Sequence, residues 1–468
     1  MRYAQDMLAI ITPHRFTGTV QIPASKSHTI RRLIIGSLAQ GVSRIGFPLD
    51  SLDARSCTAV CRALGADIEE LRTADPLCPN PADSAGKKLA SWRVRGIGGN
   101  RFASPDAPLD VGNSGTTLFL ALAVASLGDK PVDFTGDEQI RRRSAGPLLT
   151  ALEGLGVRVE SSNGCAPITV QGPWRGGNVS LPCPTSQYLS ALLLAAPLAP
   201  PGTVTQITVP LLNEKPYIEM TLSYLDAQGV EYSRSEDFSY FRIPGGGSYT
   251  PLHGGVPGDF SSAAFPCVAG AITGGPVTLI GLDPTDSQGD KVIFDILAQM
   301  GGSVHWESEE KADKGKNLTE KTDQEADEKN EKKGNVAVFR NGPLRGGEFD
   351  LNACPDLLPV IAGLAAYAEG ETVLRNAAHA RIKETDRIAV MAEELGKLGV
   401  EVRERSDGLI VKGGKVRGGR VDGHGDHRVV MALAAAALGA AGPVEIEGAE
   451  AADVTYPGFL ECLGARRL

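Results

Sequence analysis

One phrase returns six times along this chain: an amphipathic helix, a glycine, then a strand. It reads Leu64-Gly65-Ala66, Leu155-Gly156-Val157, Gln228-Gly229-Val230, Met300-Gly301-Gly302, Leu398-Gly399-Val400 and Leu463-Gly464-Ala465. Glycine just past a helix end adopts the left-handed conformation that stops the helix. The residues beyond it alternate, as in Val157-Arg158-Val159 and Val400-Glu401-Val402, which is the period of a half-buried strand. A second phrase, an Ala-rich helix followed by glycine and a strand, also occurs six times, around Gly41, Gly128, Gly202, Gly275, Gly370 and Gly442. Its spacings are 87, 74, 73, 95 and 72 residues. Two helices and several strands therefore recur about every 72 residues, with insertions in the two long intervals. The pattern implies an α/β (α+β) chain of six mixed units, grouped three and three.

Length agrees with that grouping, since 468 residues correspond to two or three domains. One insertion is plain: between Glu307 and Lys333, 17 of 27 residues are charged and Leu318 is the only large aliphatic. Such a segment buries too little apolar surface to offset its ordering entropy, so it reads as a mobile, passive, solvated loop. The other, near Ala74–Ser104, is rich in Pro and Gly. The net charge of −9 argues against a nucleic-acid binder, so any anion site must be a local cluster. No apolar run reaches the roughly 18 residues needed to span a bilayer, and Met7–Ile11 is too short for a signal peptide. The eight cysteines never form a CxxC pair, which fits neither a zinc site nor a disulfide framework. A reducing cytoplasm and a monomer are the expected setting.

The usual phosphate loops are missing: the sequence has no GxxxxGK[ST], no GxGxxG between a strand and a helix, and no HExxH. Short polar clusters at predicted helix starts take their place. Ser25-Lys26-Ser27-His28-Thr29-Ile30-Arg31 precedes an apolar helix, where free N–H groups and the helix dipole favour an anion. Gly112-Asn113-Ser114-Gly115-Thr116, Arg141-Arg142-Arg143 and Thr185-Ser186-Gln187-Tyr188 precede three more. Taken singly, each also fits a bland reading: a capped helix, or arginines on a solvated surface. The second half holds Pro355-Asp356-Leu357-Leu358-Pro359, Arg381-Ile382-Lys383-Glu384-Thr385-Asp386-Arg387 and Gly425-Asp426-His427-Arg428. Asp356 alone reads as a helix cap, and the Arg381–Arg387 run alone reads as a ladder of surface ion pairs. Together, Lys26, Arg31, Arg143, Lys383, Arg387 and Arg428 concentrate cations at helix starts in an acidic protein, with Asp356 and Glu384 as carboxylates available for proton transfer.

These blocks, in this order from about residue 8 to 465 and with Lys215-Pro216-Tyr217-Ile218 between them, closely resemble the 3-phosphoshikimate 1-carboxyvinyltransferase (EPSP synthase) family of enolpyruvyl transferases. The resemblance implies a two-domain inverse α/β barrel of six βαβαββ repeats, three per domain, joined by a two-strand hinge. Residues 1–20 with 256–468 would form one domain and 21–255 the other, with helix starts from both lining a cleft that closes on substrate. It implies transfer of the enolpyruvyl group of phosphoenolpyruvate to the 5-hydroxyl of shikimate 3-phosphate, with release of phosphate and without metal or cofactor. It assigns Lys26, Ser27, Arg31, Thr185, Ser186, Gln187, Tyr217, Asp356 and Lys383 to shikimate 3-phosphate. It assigns Lys26, Asn113, Gly115, Arg143, Gln187, Arg387 and Arg428 to phosphoenolpyruvate, and names Asp356, Glu384 and Lys26 as catalytic.

Four positions depart from the family pattern. Val454 stands where many members have Lys, Phe119 where an Arg often follows the Gly112–Thr116 loop, Glu214 where a phosphate-binding Ser precedes Lys-Pro-Tyr, and His379 where a ligand Asn stands. They bear on phosphoenolpyruvate affinity and on the Glu214 region. Two other readings remain: a catalytically impaired anion-binding homologue, and a UDP-N-acetylglucosamine enolpyruvyl transferase. The latter family carries an early Lys-Asn pair where this chain has Lys26-Ser27.

Overall fold

The computed structural model describes residues 7–74, 87–99, 102–307, 334–340 and 342–468. The chain divides into two compact units, Met1–Pro23 with Pro257–Leu468, and Ala24–Val256. The second unit contains α1 (Lys26–Leu38), α2 (Leu52–Ala63), α3 (Gly115–Ala125), α4 (Gly146–Gly154), α5 (Gln187–Ala195) and α6 (Lys215–Ala227). The first contains α7 (Phe260–Thr273), α8 (Ile293–Gln299), α9 (Leu358–Ala365), α10 (Arg387–Lys397), α11 (His427–Ala437) and α12 (Phe459–Cys462).

Among the described residues each unit carries three four-stranded sheets, and these six share one layout. A parallel pair forms one edge, and two antiparallel pairings follow. Leu109–Asp110 thus runs parallel to Val132–Thr135, which pairs antiparallel with Cys165–Gln171, which pairs antiparallel with Arg158–Ser162. In chain order this repeat is strand, α3, strand, α4, strand, strand.

The two helices of a repeat differ in character, and the difference fixes their layer. Every residue of α3, α9 and α11 is buried, as is α5 from Tyr188 onward and α7 through Ile272. A helix that is apolar on every side belongs in a core. In the first unit α7, α9 and α11 pack against one another; in the second α3 packs on both α1 and α5. Small residues permit close approach: a Cβ on Gly363 would lie 3.4 Å from the Ala432 carbonyl and 3.5 Å from the Ala436 Cβ. The other helix of each repeat buries one stripe, as α10 does with Ile388, Val390, Met391 and Leu395. No helix among the described residues is long and apolar enough to cross a membrane.

Two strands join sheets away from their neighbours in sequence. Gly18–Gln21 leads directly toward α1 yet pairs parallel with Val277–Leu282 in the first unit. His253–Gly255 leads toward α7 yet pairs parallel with Val42–Gly46 in the second. The N-terminal strand Ala9–Ile11 closes a sheet of the first unit between Val444–Glu447 and Arg466–Arg467.

All six glycines of the first repeated phrase have positive φ, from +66° at Gly229 to +112° at Gly65. The second phrase is less regular: Gly41, Gly202 and Gly370 have positive φ, while Gly274 takes that role in place of Gly275. The insertion read near 74–104 is narrower than the sequence implied. Lys87–Arg95 is a strand paired with Asp67–Ala74: Trp92 and Val94 alternate into the core, and a shift of register across from Leu71 and Arg72 brings Leu89 to the buried face as well; residues 75–86 and 100–101 lie outside the described residues. Most of the charged insertion, residues 308–333, lies outside them too. Its flanks form a ladder in which Glu307 faces Asn335. Replacing residues 308–333 with a single Asn, which with Gly334 makes the two-residue Asn-Gly turn that suits a hairpin closed by Glu307 and Asn335, is expected to shift Tm by no more than a few degrees and to leave turnover intact. Thermal melts and steady-state rates check this.

Candidate active site

The first unit gathers its predicted residues around one arginine. Arg387, the first residue of α10, has a side chain only 1% exposed. Its Nη1 donates to Asp356 Oδ1 at 2.7 Å, Nη2 to Glu384 Oε2 at 2.5 Å, and Nε to Asp426 Oδ2 at 2.7 Å. Burial pulls the guanidinium's pKa down, but Asp426, Glu384 and Asp356 outweigh it, and the net shift is upward. Asp356 is shared: Arg428 Nη2 lies 2.9 Å from Oδ2, and Lys383 Nζ lies 3.9 Å from Oδ1.

Asp356 is therefore not a helix cap. It sits in the 3-10 turn Pro355–Leu357, and its carboxylate lies against two arginines. The cap at the start of α11 is Asp426, which accepts from the Arg428 N–H at 2.8 Å while also holding Arg387. The Arg381–Arg387 run splits. Arg381 faces outward to Asp386 and Glu404, as a surface ladder predicts, whereas Lys383, Glu384 and Arg387 turn inward. Asp290, which the sequence did not single out, is buried close to this group. It accepts a hydrogen bond from the Ser261 hydroxyl, and its Oδ1 has no hydrogen-bond partner. Burial, then the like charge of Asp356, push its pKa up to about 7, against the opposing pull of Arg428.

In the second unit the predicted residues form several local groups at helix starts. Ser25 caps α1, and Lys26 Nζ lies 3.1 Å from the buried carboxylate of Asp53. Arg31, one turn beyond, is fully buried. It donates to Thr221 Oγ1, Ser190 Oγ, the Tyr217 carbonyl and the Ser27 carbonyl, and burial lowers its pKa to about 10. At α3, Ser114 supplies the cap, and Asn113 donates to Asp137 and Gln139. The three consecutive arginines part company. Arg142 is exposed beside Glu138, whereas Arg143 lies over Gly115, where an added Cβ would meet Nη1 at 2.6 Å. At α5, Thr185 and Ser186 both bond to Glu214, and the Gln187 side-chain oxygen is buried without a hydrogen-bond partner.

The four departures are built into the core. Phe119 packs edge-on against Tyr188 with centroids 5.0 Å apart, and Val454 is buried. His379 is buried with Nε2 3.2 Å from the Asn352 carbonyl, and Glu214 is buried against Thr185 and Ser186. Sequence reading missed Asp53, Asp290, Ser190 and Thr221. Asp53 follows Ser51 as an ordinary first-turn acid, and the other three carry no local signal at all.

Repeated helix starts that present cations, with paired carboxylates in one unit, on a two-domain inverted α/β fold define an enzyme class that handles small polyanions. A family model described as EPSP synthase (3-phosphoshikimate 1-carboxyvinyltransferase) matches residues 10–463, and the chain belongs to that family. It is 44% identical to the 3-phosphoshikimate 1-carboxyvinyltransferase of Acetivibrio thermocellus, covering 98% of this chain and 97% of that one. It is 42% identical to the protein of that name from Ruminiclostridium cellulolyticum, covering 95% of each. A 2.37 Å structure of EPSP synthase from Acinetobacter baumannii superposes with a TM-score of 0.76 at 26% identity, covering 99% of this chain and 100% of that chain.

Two predictions follow from the charge arrangement. Arg387→Ala leaves three carboxylates without their buried cation and is expected to cost about 3–5 kcal/mol of stability, measured by urea unfolding. Asp290 has a folded pKa above its unfolded value. Its contribution to stability is thus present below about pH 4 and lost as pH rises through about 7. Asp290→Asn is therefore expected to match the wild-type Tm at pH 4 and to exceed it at pH 8.

Proposed function

We propose that this chain catalyses the reaction that names its family: addition of the 5-hydroxyl of shikimate 3-phosphate to C2 of phosphoenolpyruvate, then elimination of phosphate. The observation that carries the reading is the pair of carboxylates, Asp356 and Glu384, hydrogen-bonded to two nitrogens of one buried guanidinium. The family resemblance assigns Arg387 and Arg428 in the first unit, and Lys26, Asn113, Gly115, Arg143 and Gln187 in the second, to phosphoenolpyruvate. Lys26, Ser27, Arg31, Thr185, Ser186, Gln187, Tyr217 and Lys383 take shikimate 3-phosphate. Cations of this kind offset the repulsion between two polyanionic substrates.

The proton steps follow from the same groups. Asp356 in the resting arrangement is a weak base, because cations stand against both its oxygens. Phosphoenolpyruvate draws Arg387 and Arg428 toward itself, and Asp356 becomes basic enough to take the proton of the 5-hydroxyl. Glu384 takes up a proton as Arg387 turns to phosphoenolpyruvate and delivers it to the methylene carbon, giving the tetrahedral adduct; it takes a proton back from that carbon as phosphate leaves, and the phosphate carries off the 5-hydroxyl proton held by Asp356. Lys26 neutralises charge on the departing phosphate. No metal or cofactor enters the scheme. The reaction takes place in the cytoplasm, in a monomer.

Phosphate release from purified protein is expected only when shikimate 3-phosphate and phosphoenolpyruvate are both present, with each alone as control. Binding of shikimate 3-phosphate without release would point instead to the impaired homologue. Asp356→Ala is expected to lower kcat by about 100-fold or more, the usual range for losing a general base, with circular dichroism reporting an intact fold. Near-normal turnover in that variant removes Asp356 from the scheme.

A further inference from the structure

The start of α5 already holds an anion, and it belongs to the protein. Glu214 is 2% exposed, and its Oε2 accepts three hydrogen bonds: from Thr185 Oγ at 3.1 Å, the Ser186 N–H at 3.0 Å and Ser186 Oγ at 2.9 Å. A hydroxyl has one proton to donate, and a backbone amide has one. Both hydroxyl protons and the Ser186 amide are thus committed to a single carboxylate oxygen. A phosphoryl oxygen has no protons to give back, so it reaches these donors only if the carboxylate leaves them.

The backbone around Glu214 is built to keep it there. Glu214 stands in the left-handed region, φ 57° and ψ 42°, at the residue preceding α6, a conformation that costs a side-chain-bearing residue energy and persists where the surroundings enforce it. The surroundings do so on both flanks. Cys183 and Leu212 form a parallel bridge, the Asn213 N–H donates to the Cys183 carbonyl at 3.1 Å, and Asn213 Nδ2 donates to the Pro184 carbonyl at 3.3 Å. On the other side, Lys215 Nζ lies 4.2 Å over the Phe238 ring. Ser186 makes no side-chain cap to its own helix, and its hydroxyl donates to Glu214 instead.

We propose that the Glu214 carboxylate is an internal occupant of the oxyanion site at Thr185 and Ser186, and that the phosphate of the substrate binds by displacing it. Glu214 then sets the affinity for phosphorylated substrate and screens the site against weakly bound anions. The inference rests on the assignment of Thr185 and Ser186 to the substrate phosphate.

The test is calorimetric titration with inorganic phosphate and, separately, with shikimate 3-phosphate. It compares wild type with Glu214→Asn, whose short neutral side chain tolerates the left-handed backbone, and with the isosteric Glu214→Gln. Both variants are expected to bind each ligand at least tenfold more tightly. Adding Ser186→Ala to Glu214→Asn is expected to abolish the gain, and in turnover the variants are expected to lower KM for shikimate 3-phosphate while leaving KM for phosphoenolpyruvate unchanged. Equal or weaker binding of both ligands overturns the proposal, as does a gain that survives Ser186→Ala. Wild-type phosphate release judges the proposed reaction on its own, and the inorganic phosphate titration judges Glu214 whether or not turnover occurs.

Discussion

Burying a helix on every side leaves it two places for polar chemistry, its ends, and this constraint organises the molecule. The flanks of α3, α5, α7, α9 and α11 are Ala, Leu, Val and small residues packed against other helices and sheets. A charge placed there would be desolvated without a partner. At the N-termini, unpaired N–H groups and the helix dipole make an anion welcome. Nearly every candidate site residue is therefore within a turn of a helix start or in the loop just before one.

Arg387 shows how far this can be taken. A guanidinium 1% exposed is tolerable because three of its nitrogens meet three carboxylates in good geometry, and Arg428 and Lys383 share the load on Asp356. Such a cluster contributes little net stability, since desolvation roughly offsets attraction. Its worth is positional. The ion pairs hold the Asp356 and Glu384 carboxylates in place on one guanidinium.

Glu214 extends the idea to the second unit. An acid in a left-handed backbone position, bonded to two hydroxyls and an amide, is costly in both conformation and charge unless the site wants an anion. The contrast with the other helix starts is instructive. Ser25, Ser114, Asp259, Asp386 and Asp426 cap their own helices, whereas α5 is served by an acid 28 residues downstream of Ser186.

The repeat was legible because its physics is local. A glycine that must take positive φ ends a helix wherever it occurs, and Gly65, Gly156, Gly229, Gly301, Gly399 and Gly464 all do so. The polar clusters were legible for the same reason, since capping residues and cations at helix starts are near neighbours in sequence. What sequence could not decide was which member of a cluster faces inward. Arg141-Arg142-Arg143 and Arg381–Arg387 each split into outward and inward residues, because direction depends on helix phase and on what packs opposite. Nor could it show that Asp356 bridges two arginines rather than capping a turn, that Asp53 meets Lys26, or that Arg31 rests on Ser190 and Thr221, whose separations along the chain run from 27 to 190 residues. Local backbone preference wrote the order of helices, glycines and strands. Only the long-range packing of the buried helices chose which charges would be desolvated together, because that choice depends on contacts between distant parts of the chain.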